Sequence, residues 1–232
     1  MVKESIDNLI RNRFSELSDT NLVKEYIDEE NFELREILNW LGKKKNAKIL
    51  DVGCGKGKFT RYLAKLGAEM KGIDATAEFI DMARLKTVND EQYFVCGADN
   101  LLFDDNSFDA VVCVEVLEHI QNTSKALSEM FRVLKEKGKL IIIDKNLYGL
   151  HPKWFIPAIL WKKVKEHSNR WMYPKGFPFT EKWFNPGRLK KKIEKFCNYC
   201  EINYLVFPGK SKSLFRILPK YINLYVSWRA VK

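Results

Sequence analysis

Apolar positions along the chain recur at two alternating periods. Ile6, Leu9, Ile10, Phe14 and Leu17 fall at helical spacing, and Phe32, Leu34, Ile37, Leu38 and Leu41 repeat it, which predicts two leader helices. From Ala47 onward, short apolar runs at 47–52, 69–73, 93–96, 108–114 and 139–143 read as strands, and amphipathic stretches at 58–66, 77–85 and 123–134 read as helices. Short strands separated by such helices belong to a parallel sheet covered on both faces. The rhythm breaks over 145–187, which is rich in Trp, Tyr, Phe and Pro. It resumes with a helix at 188–197 and closing strands near 201–207 and 221–231.

Candidate chemistry begins where the first core strand ends. Asp51 is followed by Gly53, Gly55 and Gly57 in the spacing G-x-G-x-G. A loop at the carboxyl end of a parallel strand is where such sheets bind ligands, and glycine allows positive φ and close backbone approach there. The dinucleotide fingerprint is spaced differently, as G-x-G-x-x-G. Asp74 closes the second strand, 23 residues after Asp51. A carboxylate there can accept hydrogen bonds from vicinal ribose hydroxyls. Both features point to an adenosyl ligand.

Composition narrows the class. With 232 residues, 46% apolar and 30% charged, the chain is long enough for one well-buried α/β domain. Its charged opening and the lack of an apolar run near the roughly 18 residues of a membrane span predict a cytoplasmic protein. Five cysteines are an odd number without disulfide spacing, and Cys197-Asn198-Tyr199-Cys200 supplies half of a zinc site, so ordinary thiols are expected. Charge is uneven: residues 144–232 hold 19 Lys+Arg and 5 Asp+Glu, against 21 and 25 in the rest. An excess of +14 suggests an anionic partner, either an acidic acceptor, a phospholipid surface or nucleic acid, although a solvated basic face has the same signature.

The chain resembles the class I S-adenosylmethionine-dependent methyltransferases over residues 47–144. The resemblance rests on the stretch Ile49 to Thr60, on Cys96-Gly97-Ala98-Asp99-Asn100-Leu101, on Phe108 to Ile120 with Val116-Leu117-Glu118-His119, and on Phe131 to Asp144. A Lys-Glu-Lys-Gly-Lys turn stands where the family often has Pro-Gly-Gly. The resemblance implies a three-layer Rossmann-like fold, with a seven-stranded, mostly parallel sheet, one antiparallel strand and helices on both faces. It also implies one domain: a leader at 1–45, a cofactor-binding core at 46–144, an acceptor insert at 145–187 and closing elements at 188–232.

It further implies S-adenosyl-L-methionine as cofactor, held by Asp51, Gly53, Cys54, Gly55, Asp74, Ala75, Ala98, Asp99, Asn100 and Glu115. His119 and His151 are the expected catalytic residues, His119 as base or acceptor contact. Glu115-Val116-Leu117-Glu118-His119 is similar to a metal-binding E-x-x-E-H, but V-L-E-H also occurs in metal-free members, so no metal is expected. Phe14 and Tyr26 are candidates to cover the cofactor. In the insert, Ile156, Ile159, Leu160 and Val164 share a helical face, with Lys162, Lys163 and Lys165 turned elsewhere. Residues 152–166 therefore suit a lid over the acceptor pocket or a peripheral membrane contact. The expected reaction is methyl transfer to a small-molecule or lipid-like acceptor, at oxygen. The rivals are an RNA methyltransferase, a non-catalytic subunit of the same fold and a nicotinamide oxidoreductase.

Overall fold

The computed structural model describes residues 5–20, 23–42, 45–151, 154, 156–206 and 219–232. Pro152, Lys153, Phe155 and Phe207, which the sequence reading placed in elements, lie outside them. Among the described residues, seven strands form one sheet in the order β3-β2-β1-β4-β5-β7-β6. They are β1 (Lys48–Val52), β2 (Glu69–Asp74), β3 (Gln92–Val95), β4 (Phe108–Val114), β5 (Leu134–Lys145), β6 (Tyr199–Leu205) and β7 (Tyr225–Val231). Only β7 runs antiparallel to its neighbours. The Rossmann-like architecture is therefore present.

Successive residues of the central strands serve two different cores. Leu50, Val111, Leu140 and Ile142 point to one side, where α5 (Thr123–Val133) and α7 (Pro186–Ile193) add Leu127, Met130, Leu189 and Ile193. Ile49, Val112, Ile141 and Ile143 point to the other, against α2 (Phe32–Leu41) and α3 (Lys58–Lys65). This is why the strands read as unbroken apolar runs rather than as alternation.

Side-chain caps set several helix starts. Asn31 accepts from the Leu34 N–H at 2.8 Å, and Asn185 accepts from the Arg188 N–H at 3.0 Å with Pro186 in the first turn. The Asn185 cap starts α7 two residues earlier than the apolar period alone suggests. α1 (Ile6–Glu16) and α4 (Ala77–Arg84) pack on one another, with the Phe14 and Phe79 rings 6.1 Å apart. The leader is tied to the far end of the chain: Arg229 in β7 makes a bidentate pair with Glu36 in α2, at 2.7 and 2.8 Å. All five cysteines are free, Cys197 and Cys200 included.

A buried lysine sets the orientation of the insert helix. This helix, α6 (Ala158–His167), turns Lys162 inward, where the side chain is 3% exposed and Nζ reaches Thr180 Oγ1 at 2.7 Å and the Glu181 carbonyl at 2.9 Å. Leu160 and Val164 are instead 53% and 67% exposed. A buried ammonium with three oxygen partners, the Glu166 carboxylate being the third at 3.1 Å, fixes the helix the opposite way round from its apolar pattern.

Candidate active site

The sheet order places the carboxyl ends of β3, β2, β1 and β4 side by side, so the loops that follow them share one edge. Gly53 has φ 71°, and a Cβ there would lie 2.2 Å from Val116 Cγ2. Gly55 has φ 52°, and its Cβ would meet Val23 Cγ1 at 2.9 Å. Two hydrogen bonds tie this turn to the neighbouring strand: the Cys54 N–H donates to the Ile73 carbonyl at 2.8 Å, and the Gly55 N–H donates to Asp74 Oδ2 at 3.0 Å. Asp74 Oδ1 accepts from the Thr76 N–H at 2.9 Å, across Ala75. Burial raises the Asp74 carboxyl, and these two N–H donors oppose the rise.

The next loop adjoins Asp74 directly, through the Cys96 N–H to the Asp74 carbonyl at 2.8 Å. Ala98 packs against the core, Asp99 stands 45% exposed at 3.9 Å from Lys125 Nζ, and the Asn100 N–H closes the turn on the Gly97 carbonyl at 3.3 Å. Asp51 is 1% exposed and accepts from Thr60 Oγ1 at 2.6 Å. Burial pushes its carboxyl up to about 6, against the pull of Thr60 and Lys58. Part of the leader lies over the glycine turn: Lys56 Nζ donates to the Thr20 carbonyl at 3.2 Å, and Arg61 donates to the carbonyls of Lys56 and Glu25. Tyr26 is 68% exposed beside Arg61 and Lys86, while Phe14 sits edge-on to His119 at 5.0 Å between ring centroids.

A second cluster follows β4. Glu115 has φ 55°, a left-handed conformation that costs a side-chain-bearing residue of order 1–3 kcal/mol. Its Oε1 accepts from Lys145 Nζ at 3.0 Å and from the Tyr225 hydroxyl at 3.1 Å. Lys145 also bonds Glu118 Oε1, whose other oxygen, Oε2, is buried without a partner. Burial alone would raise Glu118, but Lys145 and His119 outweigh it and hold the carboxyl down at about 2. The His119 ring lies with Nε2 3.4 Å from Glu118 Oε1 and Nδ1 3.0 Å from the Tyr173 hydroxyl. Glu181 approaches from the insert, and one ligand-capable atom from each of Glu118, His119 and Glu181 gathers within 4.8 Å. Burial, then Glu118, raises the Glu181 carboxyl. His151 lies elsewhere in the insert, its ring 4.6 Å from that of Trp161.

Sequence reading named Glu115, Glu118 and His119 but not Lys145, Tyr173, Glu181 or Tyr225. A lysine ending an apolar strand was the available signal for Lys145. The others come from distant segments, with no local spacing to reveal them.

A glycine turn bonded to an acidic strand tip, beside a buried ionisable cluster, defines a Rossmann-like α/β protein with a nucleoside-binding edge. Residues 50–142 match the family described as "Methyltransferase domain". The chain is 36% identical over 154 residues to the mitochondrial ubiquinone biosynthesis O-methyltransferase of Rattus norvegicus, covering 63% of this chain and 43% of that protein. It is 29% identical over 153 residues to the Bartonella tribocorum ubiquinone biosynthesis O-methyltransferase, covering 65% and 59%. The chain thus spans about half the length of these curated relatives. In fold it is similar to Haemonchus contortus phosphoethanolamine N-methyltransferase 2 solved with S-adenosyl-L-methionine, at TM-score 0.67, 19% identity and coverage of 100% and 60%. It is similar too to the Synechocystis magnesium protoporphyrin IX methyltransferase, at 0.67, 17%, 98% and 100%. Residues 50–142 are therefore a methyltransferase domain of the class I, S-adenosylmethionine-dependent type.

Proposed function

We propose that the protein transfers a methyl group from S-adenosyl-L-methionine to a hydroxyl oxygen of a small, lipid-like acceptor of the quinone-precursor class. One observation carries the reading: a buried carboxylate oxygen, Glu118 Oε2, stands without a partner, in a side chain whose other oxygen lies 3.4 Å from His119 Nε2. The names of the ubiquinone-pathway relatives support oxygen as the attacking atom and favour a small molecule over RNA.

The turn needs glycine, because Gly53 and Gly55 have positive φ and the Val116 and Val23 side chains already fill the space a Cβ would take. Asp74 retains lone pairs for ribose hydroxyls beyond its two N–H bonds, and Asp99 is exposed enough to take an adenine amine. The bound sulfonium supplies an electrophilic methyl whose transfer forms an O–C bond and leaves the S–C electron pair on sulfur. Glu118 Oε2 accepts the acceptor's O–H and takes the proton as the new bond forms, with the His119 ring beside the same carboxylate, its Nε2 3.4 Å from Oε1. Tyr173 holds the ring from its other nitrogen. In the insert, the His151 ring lies 4.6 Å from that of Trp161, which Trp171 meets edge-on at 5.3 Å.

The outward face of α6 supports peripheral lipid contact. Leu160 and Val164 on the helix, and Trp154 and Ile156 just before it, are each more than 40% exposed, and Lys163 and Lys165 flank Val164 in sequence. A lipid-like acceptor has to be drawn from an apolar phase, and a basic, tryptophan-bearing face suits an anionic interface. No helix among the described residues is long and apolar enough to cross a membrane. Five free cysteines fit a reducing, cytoplasmic setting.

The reading is tested by incubating the protein with radiolabelled methyl donor and cell extract fractionated into lipid, RNA, protein and small-molecule pools. Label in the lipid pool, in base-stable ether linkage, supports it. Label confined to RNA or protein contradicts it.

A further inference from the structure

The E-x-x-E-H pattern is similar to one that elsewhere holds a divalent cation, which here would fall to Glu115, Glu118 and His119. The side chains do not fit one, because the two glutamates are already spanned by a positive charge from the protein itself. Lys145, the last residue of β5, places Nζ 3.0 Å from Glu115 Oε1 and in a hydrogen bond with Glu118 Oε1. Its side chain is 13% exposed, and Glu181 and Tyr225 also face it. Backbone geometry fixes it there: Asp144 Oδ1 accepts from the Lys145 N–H at 2.8 Å, and Asp144 Oδ2 accepts from the Glu118 N–H at 3.2 Å, so one buried side chain clamps both ends of the pair. A divalent ion on the same carboxylates would sit within a few ångströms of this ammonium. Like-charge repulsion at that range, in a water-poor site, is severe.

We propose that Lys145 is the resident cation of the acceptor centre and occupies the place of a divalent ion, so that hydroxyl activation here is metal-independent. The proposal rests on the O-methyltransferase reading for its chemistry but not for its test. Lys145 acts through Glu118 and is a positioning residue. Its ammonium holds Oε1, which leaves Oε2 as the oxygen without a partner. The acceptor's proton goes to Glu118 Oε2, the O–C bond replaces the S–C bond, and Lys145 keeps its own proton throughout. Glu181, whose carboxylate gathers within 4.8 Å of Glu118 and His119, faces the same fixed ammonium.

Direct titration of metal-stripped, full-length protein with Mn²⁺, followed by electron paramagnetic resonance, tests this without knowledge of the acceptor. S-adenosylhomocysteine binding serves as the check on folding. Wild-type protein is expected to show no stoichiometric Mn²⁺ site, and Lys145→Met to gain one site per chain, bound roughly tenfold or more tighter than any wild-type site. Lys145→Arg, which keeps the charge, is expected to behave as wild type, and Lys145→Met/Glu118→Gln to lose the gained site. Stoichiometric Mn²⁺ binding by the wild type overturns the proposal whatever the variants do. So does a folded Lys145→Met that gains no site, and Lys145→Gln repeats the test if Lys145→Met does not fold. Because no methyl transfer is measured, failure here is distinct from failure to find an O-methylated product.

Discussion

The Gly55 N–H donates to Asp74 Oδ2 at 3.0 Å, so the glycine turn after β1 and the acidic tip of β2 form a single unit. The carboxylate shapes the turn. Replacing it removes an acceptor from two N–H groups, those of Gly55 and Thr76. Asp74→Ala is expected to lower unfolding free energy by about 1.5–3 kcal/mol and to weaken S-adenosylhomocysteine binding by roughly 100-fold. Asp74→Asn keeps one acceptor oxygen and should fall between. Urea unfolding and calorimetric titration on the same samples separate the two effects.

Gly53 is fixed by its neighbour as well as by its backbone. With φ 71° and Val116 Cγ2 only 2.2 Å from the point an added Cβ would occupy, Gly53→Ala is expected to cost about 2–4 kcal/mol, from left-handed strain plus overpacking. Adding Val116→Ala removes both γ carbons and should restore the packing part while leaving the strain. A double-mutant cycle in urea reads the difference.

Asp51 carries the clearest pH signature. Its folded value of about 6 lies above the ordinary 3.8, so its contribution to stability is complete below about pH 4 and is lost as pH rises through 6. Asp51→Asn escapes the cost of a buried charge. It is expected to exceed wild type in unfolding free energy by up to about 3 kcal/mol at pH 8, with the gap closing between pH 6 and 4. Calorimetric melting across that range measures it. A gap that widens toward acid contradicts the assignment.

Leu160 and Val164 face outward because Lys162 is held inward. Leu160→Asp/Val164→Asp is expected to reduce co-sedimentation with phosphatidylglycerol vesicles by roughly tenfold and to leave S-adenosylhomocysteine affinity unchanged. Vesicles of phosphatidylcholine alone should retain little of either protein.

The core of the fold was legible because parallel strands buried on both faces leave unbroken apolar runs, and because the G-x-G-x-G turn and Asp74 sit at fixed sequence distance on neighbouring strands. The insert was not. Its helical period put Leu160 and Val164 on one face without saying which way that face turns, and the Lys162 partners that decide it, Thr180 and the Glu181 carbonyl, lie some twenty residues downstream. The same limit hid the acceptor cluster: Glu115, Glu118 and His119 are local in sequence, whereas Lys145, Tyr173, Glu181 and Tyr225 reach them only through the assembled sheet and insert.

The central claim is that the turn, Asp74 and the Ala98 to Asn100 loop hold one adenosyl ligand between them. Isothermal titration of the folded protein with S-adenosylhomocysteine tests it most directly. The account predicts one site per chain with a dissociation constant on the order of 1–100 μM, weakened by Asp74→Ala. A folded protein that yields no binding heat, and whose melting temperature does not move when the ligand is added, would contradict it.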